Sequence, residues 1–139
     1  MFKDKVDERI IGYLKEDSRE SFVDIGKKLK LSESAVRRRV KNLVDSKTIN
    51  KFTIELSEDN ITSAIVLVSV DSATDTSKVS LKLAKLEGVK TVYEITGQYD
   101  ITTIMSASSI AEINNSIDAL RKITGVVDTN TVIILRKII

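Results

Sequence analysis

A chain of 139 residues, 42% apolar and 30% charged, has room for one large or two small domains of a soluble globular protein. It holds no Cys and no His, which removes disulfides, thiolate nucleophiles, Cys-ligated zinc and the commonest general base and metal ligand. The expectation is therefore a protein that is not an enzyme, with no cofactor and no metal. No run approaches the roughly 18 apolar residues that a membrane span requires. The opening residues Met1 to Glu8 carry no apolar signal core, so a cytoplasmic chain is expected.

The net charge of +2 conceals an asymmetry. Residues 1–56 carry 14 Lys/Arg against 10 Asp/Glu, and residues 57–139 carry 8 against 10. The stretch Lys27 to Lys51 holds nine basic residues against Glu33 and Asp45. Such clustering marks a polyanion partner or, equally on charge alone, a solvated helix face.

In chain order, Val6, Ile10, Ile11 and Leu14 form an apolar stripe at helical spacing. It breaks at Glu16-Asp17-Ser18. Ser21-Phe22-Val23-Asp24 has the form of a capping box, and Phe22, Ile25 and Leu29 carry a short second helix to about Lys30. After Lys30-Leu31-Ser32, with Ser32 as N-cap, Val36, Val40 and Leu43 mark a third helix. Three short helices, the last two joined by about three residues, form a helix-turn-helix. Ile49 to Leu56, alternating at its end, reads as a strand, which makes the unit winged in type. Ser57-Glu58-Asp59-Asn60 is the turn-rich boundary.

Beyond that boundary the pattern changes. Ala64 to Val70 is a β-branched, buried strand. Asp75-Thr76-Ser77 caps a helix with Val79, Leu83 and Leu86 inward, closed by Gly88. Val89 to Thr96 is a second strand, Gly97-Gln98-Tyr99-Asp100 a turn, and Ile101 to Ser106 a third strand. Ser109-Ile110-Ala111-Glu112 opens a helix with Ile110, Ile113, Ile117, Leu120 and Ile123 inward, closed by Gly125. Val126 to Leu135 is the last strand. The order βαββαβ is the ferredoxin-like split unit, and right-handed crossovers place both helices on one face of a four-stranded antiparallel sheet. The expected fold class is α+β: residues 1–48 form the winged-type helix-turn-helix domain, 49–61 a linker with a strand, and 62–139 the ferredoxin-like domain.

At 100° per residue, Arg38, Lys41 and Ser34 fall opposite Val36, Val40 and Leu43, with Arg37 on the flank. Arg pairs bidentately with guanine or phosphate, Lys with phosphate and Ser with either, so this helix suits the major groove of double-stranded DNA. Arg39 lies nearer the apolar side and is assigned to phosphate contact or packing. One such motif binds weakly, at about 10⁻⁴–10⁻⁶ M non-specifically, and dimers reading two half-sites repair this. The sheet, bare on one face, is the expected oligomerisation element.

Several of these stretches together resemble one family. Asp17 to Phe22, Ile25-Gly-Lys-Lys-Leu29, Leu31-Ser32 and Val36 to Val40 are similar to the DNA-binding half of the leucine-responsive regulator/AsnC (feast/famine) transcription regulators. Gly97-Gln98-Tyr99-Asp100 matches that family's Gly-x-Tyr-Asp signature, and Gly125 to Thr131 resembles its last-strand motif. The resemblance covers essentially the whole chain. It implies homodimers that assemble further, up to octamers, and a small effector, usually an amino acid, bound at the sheet domain. Carried across, the effector residues are Gly97, Tyr99 and Asp100 on the turn and Thr129 and Thr131 on the last strand. Asp100 can accept from an ammonium group, and hydroxyls and turn amides can bind a carboxylate. The alternatives are that Gly97 only shapes the turn, that Tyr99 is core and that the threonines are ordinary strand residues. The DNA-contact set is Ser32, Ser34, Arg37, Arg38 and Lys41. Where many family members have Gly after the third helix, this chain has Lys47-Thr48.

Other classes have less behind them. An enzyme needs a convergent nucleophile and base, and neither is visible. An RNA-binding sheet stacks bases on exposed aromatics, and only Tyr93 and Tyr99 are available. The alternative that keeps every argument for DNA is an architectural protein or autoregulator without an effector.

Overall fold

The computed structural model describes residues 4–55 and 60–138, and the chain divides into two compact units at the junction of residues 56 and 57. In the first unit, α1 (Lys5–Glu16), α2 (Phe22–Leu29) and α3 (Glu33–Asp45) surround a small core of Ile10, Leu14, Ile25, Val36 and Val40. Each helix begins on a capping side chain. Asp4 accepts from the amides of Val6 and Asp7, Ser21 from Asp24 and Ser32 from Ala35, satisfying amides that have no partner inside the helix. The Asp24 carboxylate does not return to the Ser21 amide, as a full capping box would; it accepts from the Ser21 hydroxyl at 2.6 Å.

The turn between α2 and α3 runs through Lys30, whose φ of 57° is left-handed. Gly26 lies against this turn, and a Cβ there would stand 2.6 Å from the Leu31 carbonyl oxygen. After α3 the chain meets the same demand at Lys47, at φ 56°, with its amide bonded to the Val44 carbonyl. Lysine thus occupies a left-handed position that glycine fills without steric cost.

The strand expected from Ile49 does not form. Residues 49–55 carry no strand, and Leu56 to Asp59 lie outside the described residues. A strand needs a hydrogen-bonding neighbour and a face to cover its side chains. None of the sheet pairs involves this segment, and Phe52 and Ile54 stay exposed at 51% and 72%. Of the expected boundary turn, only Asn60 is described, in a left-handed turn conformation.

The second unit is β1 (Thr62–Val70), α4 (Thr76–Leu83), β2 (Val89–Glu94), β3 (Ile101–Ala107), α5 (Ile110–Arg121) and β4 (Val126–Ile134). The strands are antiparallel in the order β2-β3-β1-β4. Val79, Leu83, Ile113, Ile117 and Leu120 from the helices close over Ala64, Val66, Val68, Ile101 and Met105. Both helices therefore cover one face of the sheet. Side chains alternate along a strand, which turns Ile65, Leu67, Ile104 and Val132 to the other face; Val132 is 48% exposed.

Three details differ from the periodicity. Ile110 is 56% exposed, because the first residue of α5 overhangs the sheet and the inward face begins at Ile113. Glu112 reaches back to the amide of Ser108, one residue beyond the expected one, while Ser109 accepts from Glu112. Gly88 and Gly125 do not close helices: α4 and α5 end on right-handed Ala84 and Lys122. Each glycine instead takes a positive φ immediately before β2 or β4. At Gly125 the requirement is double, since φ is 99° and a Cβ would meet Thr74 Cγ2 at 2.5 Å.

Candidate DNA interface and effector site

Helix α3 presents its predicted polar side outward. Ser34, Arg37, Arg38 and Lys41 are exposed, whereas Val36, Val40 and Leu43 are buried. The Ser32 hydroxyl caps Ala35 and lies 3.0 Å from the Ser34 hydroxyl. Arg37 pairs with Glu33 one turn earlier, with its guanidinium carbon 5.3 Å from the centre of the Phe22 ring. Lys41 pairs with Asp45 at 2.6 Å. Arg38 has neither an ion pair nor a hydrogen bond among the described residues. Exposed pairs of this kind contribute little, about 0–1 kcal/mol each, so phosphate can displace them.

Arg39 behaves differently. Its Nη1 is 2.8 Å from both Asp4 and Asp7, and Asp7 is only 3% exposed. The Asp7 amide bond and then the Arg39 guanidinium hold Asp4 below its ordinary pKa, and Asp4, followed by Asp7, raises that of Arg39. The guanidinium ties α3 to the start of α1, so of the two roles foreseen for Arg39 the structure supports packing.

Of the five residues carried over to the sheet domain, Asp100 and Thr129 flank Val68 of β1 from opposite sides, Asp100 bonded to its carbonyl and Thr129 paired with it in the ladder. Asp100 braces β1: one carboxylate oxygen, Oδ2, accepts from the Val70 amide at 2.8 Å and its own amide donates to the Val68 carbonyl. The carbonyl of Asp100 accepts from Ile95 and closes the turn. Tyr99 is half-buried, and Gly97, at φ 122°, has nothing within 4 Å of where a Cβ would stand. Thr129 and Thr131 pair with Val68 and Val66 in the ladder. They therefore share the helix-covered face, separated from β3 by the whole of β1.

A cavity of about 330 Å³ does include Thr129, and its other lining residues are Arg121, Val126, Val127 and Asp128. Arg121 Nε donates to Thr129 Oγ1 at 3.1 Å. Sequence reasoning passed over Arg121, because an Arg in the last helical turn reads as complementing the helix dipole and only the register of β4 brings it to Thr129.

A helix-turn-helix followed by a ferredoxin-like α/β unit is the layout of a ligand-responsive transcription regulator. Residues 4–44 match the AsnC-type helix-turn-helix domain and residues 63–139 the Lrp/AsnC ligand binding domain. The chain belongs to the Lrp/AsnC family of transcription regulators, with a DNA-binding helix-turn-helix and a ligand-binding domain. It is 44% identical over 133 residues to the HTH-type transcriptional regulator LysM of Saccharolobus solfataricus, covering 96% of this chain and 94% of that one. It is 40% identical to LysM of Sulfurisphaera tokodaii, covering 96% and 95%. Among solved structures it is similar to the transcriptional regulator NMB0573 of Neisseria meningitidis in its L-Met complex, at 25% identity and TM-score 0.87, covering 97% and 91%.

Proposed function

We propose that this regulator acts in the cytoplasm as a homodimer or a higher assembly such as an octamer, reads duplex DNA through α3, and changes assembly or DNA affinity on binding an amino acid. Residues 1–48 serve DNA, 49–61 link, and 62–139 assemble the subunits and bind the effector. The observation that carries the DNA half is the outward side of α3, where Ser34, Arg38 and Lys41 lie opposite buried Val36, Val40 and Leu43. Arg37 and Arg38 are suited to guanine edges or phosphate, Lys41 to phosphate, and Ser32 and Ser34 to the backbone at the helix start. The bare, partly apolar face of the sheet supports the assembly role. The L-Met complex of the Neisseria protein supports an amino acid as effector here.

Regulation requires that the effector bind one state better than another, and coupling of about 1–3 kcal/mol is typical of such systems. The test of the DNA half is an affinity measurement across salt concentrations with the Arg38→Ala/Lys41→Ala double variant. Each lost phosphate contact lowers the log–log salt slope by about 0.9, so a weaker complex with a slope reduced by about 1.8 is expected. Wild-type affinity and slope in that variant would overturn the assignment.

A further inference from the structure

Two consecutive cations on α3 are held differently. Arg38 has neither an ion pair nor a hydrogen bond among the described residues, whereas Arg37 is held twice. Its guanidinium pairs with Glu33, one turn earlier on the same helix. Its Cζ also lies 5.3 Å from the centre of the Phe22 ring, within the range at which a cation is drawn to a ring face. Phe22 opens α2 and packs against the core of the helical unit, so the ring is a fixed platform. Glu33 is the first residue of α3 and Arg37 stands one turn further on. Both are exposed, and their spacing sets them on one stripe of the helix.

The pair carries no net charge, and that decides what it can read. A phosphate arriving at Arg37 meets the Glu33 carboxylate as well as the guanidinium, and like charges repel. A base edge brings no charge. In the major groove a G·C pair presents two acceptors, guanine N7 and O6, and one donor, cytosine N4. A guanidinium beside a carboxylate is the matching array of two donors and one acceptor. An A·T pair presents acceptor, donor and acceptor in turn and does not match it. A recognition helix brings its N-terminal residues to the base edges, and Glu33 and Arg37 fall in the first two turns. Lys41 pairs with Asp45 at the same spacing, but it lies in the third turn. Its ammonium sits on a flexible stem and turns freely to phosphate.

We propose that Glu33 and Arg37 form one reading unit for a G·C base pair, that Phe22 is the positioning residue for the guanidinium, and that Arg38 is a phosphate contact. The assignment rests on α3 reading duplex DNA, and it adds Glu33 and Phe22 to that reading.

The experiment starts with selection of binding sites by the wild-type full chain from duplexes with a randomised centre. The selected site contains a G·C pair in each half. Affinity is then measured for this duplex and for copies in which each G·C pair in turn is changed to A·T in both halves. Wild-type protein binds one of these copies about tenfold more weakly, or worse, as expected for the loss of a bidentate contact. A copy with 7-deazaguanine at that position, which lacks N7, is also weakened, by a smaller factor. Glu33→Ala/Arg37→Ala, which leaves the net charge unchanged, binds all the duplexes alike and keeps the wild-type salt slope. Arg38→Ala does the reverse: it lowers the slope by about 0.9 and keeps the preference. Phe22→Leu loses part of the preference, and Phe22→Tyr, which keeps the ring, retains it. A preference that survives in Glu33→Ala/Arg37→Ala, or a slope lowered by about 0.9 in that variant, would overturn the reading unit. A selected site without G·C, or a wild type that binds every duplex alike, overturns it too and leaves DNA binding through α3 standing. If the wild type binds no duplex, the DNA reading itself fails, and the reading unit with it.

Discussion

Helix α3 and the β2–β3 turn carry residues of equal promise in the sequence, and the structure treats them in opposite ways. On α3, Ser34, Arg37, Arg38 and Lys41 stand outward, and the ion pairs of Arg37 and Lys41 reach only four residues along the same helix. At the turn, Asp100 is bound by its carboxylate to Val70 and by its amide to Val68 of β1, 30 and 32 residues earlier in the chain. A helix face is set by local periodicity, so its chemistry is visible in a string of residues. A sheet residue's environment is set by strands far away in sequence, and the same Asp can be a ligand group or a structural staple.

The largest effects are expected from two glycines, one in each unit. Gly125→Ala forces a Cβ into Thr74 at a backbone angle that disfavours side chains, and should cost about 2–4 kcal/mol. Gly26→Ala pushes against the Leu31 carbonyl and should cost a similar amount. Calorimetry should show the first lowering the transition of the sheet unit and the second that of the helical unit. One transition shifted alike by both would show the units to be thermodynamically coupled.

Asp100→Ala sharpens the comparison next. Removing the carboxylate leaves the Val70 amide without its partner, at a cost of about 1–3 kcal/mol, measurable by denaturant titration with no ligand present. An unchanged midpoint would mean that the staple contributes nothing and that Asp100 is free for other work.

In the helical unit the corresponding tie is Asp4–Arg39–Asp7. Asp4 is held below its ordinary value of 3.8, by the Asp7 amide first and by Arg39 next. A depressed carboxylate contributes stability that is present above the unfolded pKa and disappears as pH falls through the folded one. Wild-type protein should therefore exceed Asp4→Asn in stability at neutral pH, with the gap closing below about pH 4. A gap that stays constant down to pH 2 would show that the cap, not the charge, accounts for it.

The smallest expected effect is a gain. Lys47→Gly relieves the left-handed conformation after α3 and should stabilise the helical unit by about 0.5–1 kcal/mol without altering the salt slope of DNA binding. A reduced slope would instead identify Lys47 as a phosphate contact.

Much of the fold was legible before any coordinates. The helices of the first unit follow from Ile10, Leu14, Ile25, Val36, Val40 and Leu43 recurring at helical spacing, and from Ser21 and Ser32 at their starts. The βαββαβ order follows from alternation and caps in the same way. The illegible parts all depend on a distant partner. Phe52 and Ile54 alternate as a strand would, but none of the described strands pairs with them. Gly88 and Gly125 look like helix ends, yet their position is decided by the entry into β2 and β4. Arg39 looks like one more cation for DNA, and its role is decided by Asp4 and Asp7, 35 and 32 residues away.

The sequence by itself therefore determined the two-part organisation, the exposed basic side of α3 and, through its motifs, the family. Those features repeat every two to four residues or depend on residue type alone. Only the tertiary structure decided that Asp100 braces β1, that Arg39 braces α1, and that Arg121 meets Thr129. The physical reason is that hydrogen bonds and ion pairs depend on distances of a few ångströms. Between residues far apart in the chain, those distances are set by the register of strands and the packing of helices.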